Sequence, residues 1–157
     1  MNTSKFEKLQ RINWLTSEMD GLYHQASLKI GLSDSASRIL YALYAGGGSC
    51  LLSEIYKDSG ISKQTVNSAL RKLEEEEVVR LEQHHGKAKM VFLTEKGKEK
   101  ADKTVAKIVD AEVGAFESWS EEEIDTYIGL TNKYLETFRE QVNKLEKETS
   151  YEKSSIN

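Results

Sequence analysis

Near the C-terminus the chain steps through Ile124, Ile128, Thr131, Leu135, Phe138, Val142 and Leu145 in alternating strides of four and three. A stripe this narrow, with heptad period, is the seam of a helix that faces another helix. Ser120 and the acids Glu121, Glu122 and Glu123 supply its start, a hydroxyl cap followed by charges that suit the positive end of the helix dipole. A helix from there to Leu145 is about 40 Å long at 1.5 Å per residue, more than a small domain usually covers. Packing against a second copy of the chain is therefore favoured over packing within one chain. The sequence contains no proline, so nothing in it breaks such a helix from inside. The closing "ETSYEKSSIN" is polar and is expected to fray.

The same reasoning places the other elements. Phe6, Leu9, Ile12, Leu15, Met19, Leu22 and Ala26 recur at three- and four-residue steps, which predicts a long amphipathic helix ending near Gly31. Ser33 caps a second helix with Ala36, Ile39, Leu40 and Leu43 on its apolar side, broken by Gly46, Gly47 and Gly48. "LLSEIYKDSG" predicts a short third helix that turns Leu51, Leu52 and Ile55 to a core and stops at Gly60. Ser62 caps a fourth, with Ile61 and Val66 placed as a hydrophobic staple. Its Val66, Ala69, Leu70 and Leu73 share one face, leaving Lys63, Gln64, Thr65, Asn67, Ser68 and Arg71 outside. "VVRLEQ" and "KMVFL", separated by "HHGKA", predict a two-stranded hairpin turning at Gly86. Thr94 then caps one further helix, with Ala101, Val105, Ile108 or Val109, Val113 and Phe116 on its buried side, ending near Trp119.

Length and composition bound the class. A chain of 157 residues, 31% charged and 38% hydrophobic, suits one globular domain. No apolar run approaches the roughly 18 residues that span a bilayer, and "MNTSKFEKLQ" lacks the apolar centre of a signal peptide, so the expected location is the cytoplasm, away from membranes. One cysteine, Cys50, excludes an internal disulfide. A formal net charge of −4 argues against general polyanion binding and directs attention to local clusters of positive charge.

The order of elements, mainly α with a small β-hairpin, is that of a winged helix-turn-helix between flanking helices. "SEIYKDSGISKQTVNSALRKLEEEEVVRLE" followed by "KMVFLTEKG" resembles a regulator of the MarR family, and the likeness in element order runs from about residue 5 to 146. It implies a single domain over 1–146, with dimerisation helices at about 5–30 and 95–146, a winged helix-turn-helix at about 33–94, and a polar tail over 147–157. It implies a homodimer, more often a repressor in this family, on pseudo-palindromic double-stranded DNA. Ser62, Lys63, Gln64, Thr65, Asn67, Ser68 and Arg71 become the recognition surface, with Lys87 and Lys89 on the wing. Independently, a polar-faced helix after a tight turn has the donors that match acceptors in the major groove. Phe6, Leu9, Ile124, Ile128, Leu135, Phe138, Val142 and Leu145 become dimer contacts. A cleft for a small, often aromatic, effector would draw on Trp14, Tyr23, Arg38, Tyr41 and Tyr44.

Two positions depart from the family pattern. His85 and Lys87 stand where the wing usually has aspartate and arginine, and lysine lacks the planar guanidinium fork. Glu77 stands where a glycine commonly ends the recognition helix. That helix either runs on or takes a left-handed residue at a cost of roughly 1–2 kcal/mol.

Plainer readings remain beside these. A polar helix face is often just solvated, and the aromatic residues are often core. His24, His84 and His85 lack the carboxylate or cysteine pattern of a metal site, so neither a metal nor another cofactor is expected. The chain shows no glycine-rich phosphate loop and no nucleophile with a base, so an enzyme is not expected. Two rival functions are a helical dimer that binds another protein and no longer binds DNA, and a redox-responsive regulator using Cys50.

Overall fold

The computed structural model describes residues 3–154, with side chains described over 4–145. The elements are α1 (Thr3–Lys29), α2 (Asp34–Ala45), β1 (Ser49–Leu51), α3 (Leu52–Asp58), α4 (Lys63–Glu75), β2 (Val79–Gln83), β3 (Lys89–Leu93), α5 (Glu95–Lys103), α6 (Val105–Phe116) and α7 (Glu121–Ser154). They fall into two compact units, residues 1–111 and 112–157.

The first unit has one apolar core. Ile39, Leu40 and Leu43 from α2 meet Ile55 from α3, Val66, Leu70 and Leu73 from α4, Val78 just before β2, Val79, Val91 and Leu93 from the sheet, and Ala101 and Val105 beyond it. Most of these side chains are completely shielded, each worth roughly 1.5–3 kcal/mol of burial when large. The cap residues act as expected: Ser33 Oγ accepts from Ala36 N, Ser62 Oγ from Thr65 N and Thr94 Oγ1 from Gly97 N. Gly60 and Gly86 take left-handed backbone, φ 66° and 58°.

Three expectations need correction. The sheet has three strands, not two, in the order β1–β3–β2, all antiparallel. Ser49, Cys50 and Leu51 pair with Phe92, Val91 and Met90, so Leu51 lies in a strand and α3 begins at Leu52. The long helix after the wing is broken at Thr104, with φ −124° and ψ −88°, and the Thr104 hydroxyl donates to Lys100 O at 2.6 Å. A threonine bonded back to the i−4 carbonyl competes with the helical ladder. Beyond that break Ile108 is buried, whereas Val113 and Phe116 are exposed in the single chain.

In the second unit α7 runs to Ser154, through most of the segment expected to fray, of which the last three residues lie outside the described ones. Ser120 and Glu123 close a reciprocal cap, Glu123 N donating to Ser120 Oγ at 3.2 Å and Ser120 N to Glu123 Oε2 at 2.8 Å. The Ser120 N–H, and after it the Ser120 hydroxyl donating to the same oxygen at 3.1 Å, hold the Glu123 carboxyl below its ordinary range.

The corner at Thr94 joins the sheet to the helices. Its hydroxyl bonds to Glu77 O at 2.6 Å and lies 3.2 Å from Val78 O, while its backbone N–H donates to Val78 O at 3.1 Å. Gly97 sits against the same peptide: a Cβ there would stand 2.0 Å from Val78 O. Glu77 itself has φ 57°, the only described non-glycine residue with positive φ. The helix therefore ends where a glycine would end it, with the strain of a side chain retained.

Two substitutions test this corner. Gly97→Ala should destabilise at or beyond the upper end of the roughly 1–3 kcal/mol typical of overpacking, because the obstruction is backbone. Glu77→Gly should raise the stability read from urea unfolding by up to about 1 kcal/mol, relief of left-handed strain less the added freedom of the unfolded chain. An unchanged midpoint in the first variant would contradict the close approach.

Candidate nucleic-acid interface

The face of α4 opposite the core is hydrogen-bonding along its length. Ser62, Lys63, Gln64, Thr65, Asn67, Ser68 and Arg71 are all exposed, while Val66, Ala69, Leu70 and Leu73 point inward. The apolar staple sets the entry angle, with Val66 buried and Ile61 packed on the core. Ser62 Oγ also shares a hydrogen bond with Thr65 Oγ1 at 2.8 Å, so both hydroxyls are committed in part to the cap. Residues 63, 67 and 71 are four apart and form one row along the helix.

The wing approaches that row. A cleft of about 610 Å³ is lined by Leu52, Ser53 and Tyr56 of α3, Asn67, Leu70, Arg71 and Glu74 of α4, and Leu81, Lys87, Ala88 and Lys89 of the wing. Asn67, Arg71, Lys87 and Lys89, predicted at separate places in the sequence, thus line one depression. Gln64, Thr65 and Ser68 lie outside it, and Thr65 and Ser68 border a smaller cleft of about 240 Å³ with Lys72 and Lys100. At the wing tip His84 and His85 stand edge to face with ring centres 4.4 Å apart. The strands beneath are held by register and by Arg80, whose guanidinium lies 4.4 Å over the Phe92 ring and pairs with Glu82.

The glutamates separate from this face. Glu76 pairs with Lys100 Nζ at 2.7 Å, and that hydrogen bond, aided by Lys96 and Lys72, keeps its carboxyl below the ordinary range. Glu77 turns at the left-handed cap, so only Glu74 borders the cleft. Acid therefore closes the far end of α4 while the positive groups gather at its start and on the wing.

Residues 30–88, which hold α2 through the wing turn, match the sequence profile of the MarR family. The match takes in most of the winged-helix segment and leaves α1, β3, α5, α6 and α7 outside it. No curated protein matches the chain in sequence. Among solved structures, the MarR-family regulator NMB1585 of Neisseria meningitidis superposes with a TM-score of 0.75 at 19% identity, covering 92% of this chain and 99% of that one. MepR of S. aureus, in a complex with DNA, gives 0.62 at 21% identity over 82% and 96%. BpsR of Bordetella bronchiseptica, described in terms of regulation of its DNA binding by 6-hydroxynicotinic acid, gives 0.59 at 17% over 78% and 97%. At these identities the likeness speaks for the fold.

The other candidate residues take varied places, inside the matched segment and outside it. Arg38 donates to Ser59 O at 2.8 Å, tying α2 to the end of α3, and Tyr41 and Tyr44 pack against the core. Trp14 and Tyr23 are exposed on α1, Trp14 beneath Arg11 with 4.3 Å between guanidinium and ring. On α1 Phe6 is 40% exposed and Leu9 half-buried. On α7 Ile124 is half-buried, whereas Ile128, Leu135, Phe138, Val142 and Leu145 are exposed, joined by Tyr127, Leu130 and Tyr134, which the heptad pattern leaves out. Among the described residues no group of three or more His, Cys, Asp or Glu is arranged to hold a metal, and no helix is long and apolar enough to cross a membrane.

Two contacts have no counterpart in the sequence pattern. His24 Nδ1 lies 2.8 and 3.0 Å from the two carboxylate oxygens of Asp34, linking α1 to the first turn of α2. Tyr56 donates its hydroxyl to Asn67 Oδ1 at 2.7 Å, and Lys63 Nζ lies 5.5 Å from its ring centre. The only sequence signal for Tyr56 is an aromatic residue next to the turn before α4.

Cys50 is the one described free thiol. Burial, then the hydrogen bond and negative charge of Glu54 and the charge of Asp58, push it up to about 11. The thiolate is the reactive form, so a thiol two units above 9.0 is about 100-fold poorer in thiolate near pH 8. Alkylation by iodoacetamide at pH 8 should accordingly be about tenfold or more slower in the folded protein than in urea, the loss of thiolate being offset in part by its greater nucleophilicity, and should accelerate as the pH climbs toward 11. Equal rates folded and unfolded would restore the redox reading of Cys50.

Proposed function

We propose that this protein is a DNA-binding transcription regulator, acting as a homodimer on a pseudo-palindromic operator and in the main as a repressor. The carrying observation is the cleft that joins Asn67 and Arg71 of α4 to Lys87 and Lys89 of the wing. In this reading α4 enters the major groove with its N-terminal turns, because ammonium, amide and guanidinium donors complement the acceptors on base edges. Lys87 and Lys89 neutralise phosphate beside it. Lysine in place of the usual wing arginine favours backbone contact over insertion into the minor groove.

The dimer reading is supported by the exposed apolar residues of α1 and of α7, more than a monomer usually leaves in water. Release would follow when a small, aromatic effector stabilises a dimer whose recognition helices no longer match half-sites about 34 Å apart. A neighbour whose DNA binding is regulated by 6-hydroxynicotinic acid supports that class of effector. The same apolar surfaces favour a second reading, a dimer that binds another protein, which predicts little salt dependence.

Fluorescence anisotropy with duplexes tiling the DNA upstream of its own gene, at two salt concentrations and against a scrambled duplex, distinguishes them. Arg71→Ala should weaken specific binding by about 1–3 kcal/mol, and Lys87→Ala should reduce the salt slope by about one unit. Unchanged affinity and slope in both variants would overturn the assignment.

A further inference from the structure

Asn67 does not present itself freely on α4, because a residue outside that helix fixes which end of its amide faces outward. The Tyr56 hydroxyl, held on α3, donates to Asn67 Oδ1 at 2.7 Å. An asparagine side chain has one acceptor oxygen and one NH₂ group with two donors. Its familiar bidentate pairing with adenine uses both ends, the NH₂ toward N7 and the oxygen toward the N6 amino group. With the oxygen turned to Tyr56 and one of its two lone pairs taken, the NH₂ group is the end left wholly unengaged for a ligand. Lys63 and Arg71, four residues away on either side, also offer donors only. The row 63–67–71 is thereby made donor-rich from end to end.

We propose that Tyr56 is a specificity-determining positioning residue: by holding Asn67 Oδ1 it makes α4 select guanine, whose groove edge presents two adjacent acceptors, over adenine at the base pair Asn67 meets. This rests on the DNA-binding reading above, and it adds a residue that does not itself read a base. Lys63 over the Tyr56 ring, at 5.5 Å, places a second recognition side chain against the same support. Tyr56→Phe keeps the ring, its packing and the lysine contact, and deletes only the hydrogen bond.

The test is selection of binding sites from a random duplex pool by the wild-type chain, Tyr56→Phe and Asn67→Ala, with enriched sequences counted at each position. Asn67→Ala should flatten the preference at one base pair per half-site, which identifies the pair read by Asn67. At that pair the wild type should favour guanine, and Tyr56→Phe should lower the guanine-to-adenine ratio about fivefold or more, the equivalent of about 1 kcal/mol, with the rest of the site unchanged. Identical ratios in wild type and Tyr56→Phe, a wild-type preference for adenine, or no position affected by Asn67→Ala would each overturn the inference while leaving a sequence-selective protein. A wild-type chain that enriches no sequence would instead remove the DNA-binding reading, and this inference with it.

Discussion

The close approach of Gly97 to the Val78 carbonyl is the constraint on which the geometry of the interface depends. Three elements meet there: the left-handed end of α4 at Glu77, the first residues of β2, and the start of α5. Thr94 connects them by donating its hydroxyl to Glu77 O and its N–H to Val78 O, while capping α5 through Gly97 N. Because β3 ends at Leu93, one residue earlier, the strand that carries Lys89 is tied to the end of α4. A larger residue at 97 would have to move the peptide at Val78, and with it the angle between wing and α4. The separation of Arg71 from Lys87 is thus set by packing behind the interface.

Charge is arranged around that scaffold by position. The chain is acidic overall, yet Lys63, Arg71, Lys87 and Lys89 lie on α4 and the wing, and the glutamates at the end of α4 are drawn off by Lys100 and by the turn at Glu77. In the proposed DNA-binding reading, net negative charge is repelled by phosphate at long range, which would suppress indiscriminate binding and leave affinity to the surface formed by α4 and the wing. Four consecutive glutamates, Glu74 to Glu77, follow this basic face, and the structure gives three of them separate places. Glu76 braces α5, Glu77 turns the chain, and Glu74 alone reaches the rim of the cleft.

What could be read from the sequence was local. Ser33, Ser62 and Thr94 announce helix starts because a cap acts within three residues of itself, and the exposed row on α4 follows from helical spacing. What escaped was set across the chain. Three residues at Ser49–Leu51 become a strand only because Met90–Phe92 complete their hydrogen bonds, so Leu51 read alone counts as the start of α3. Thr104 breaks a helix whose apolar period continues through it, because its hydroxyl takes the Lys100 carbonyl. Tyr56 and Asn67 lie on different helices, and His24 and Asp34 likewise, so spacing within one element could not pair them. Glu77 was visible as a conflict between a left-handed position and a side chain; only the structure shows the conflict kept.

The central claim is that α4 lies in the major groove in two half-sites, and methylation protection by dimethyl sulfate on a bound duplex reads that directly. The reagent attacks guanine N7 in the major groove and adenine N3 in the minor groove, so the two grooves report separately. The account predicts two clusters of protected guanines about one helical turn, roughly 10 base pairs, apart, with adenine N3 little affected between them. Protection confined to adenine N3, or a single cluster with no symmetry mate, would contradict it.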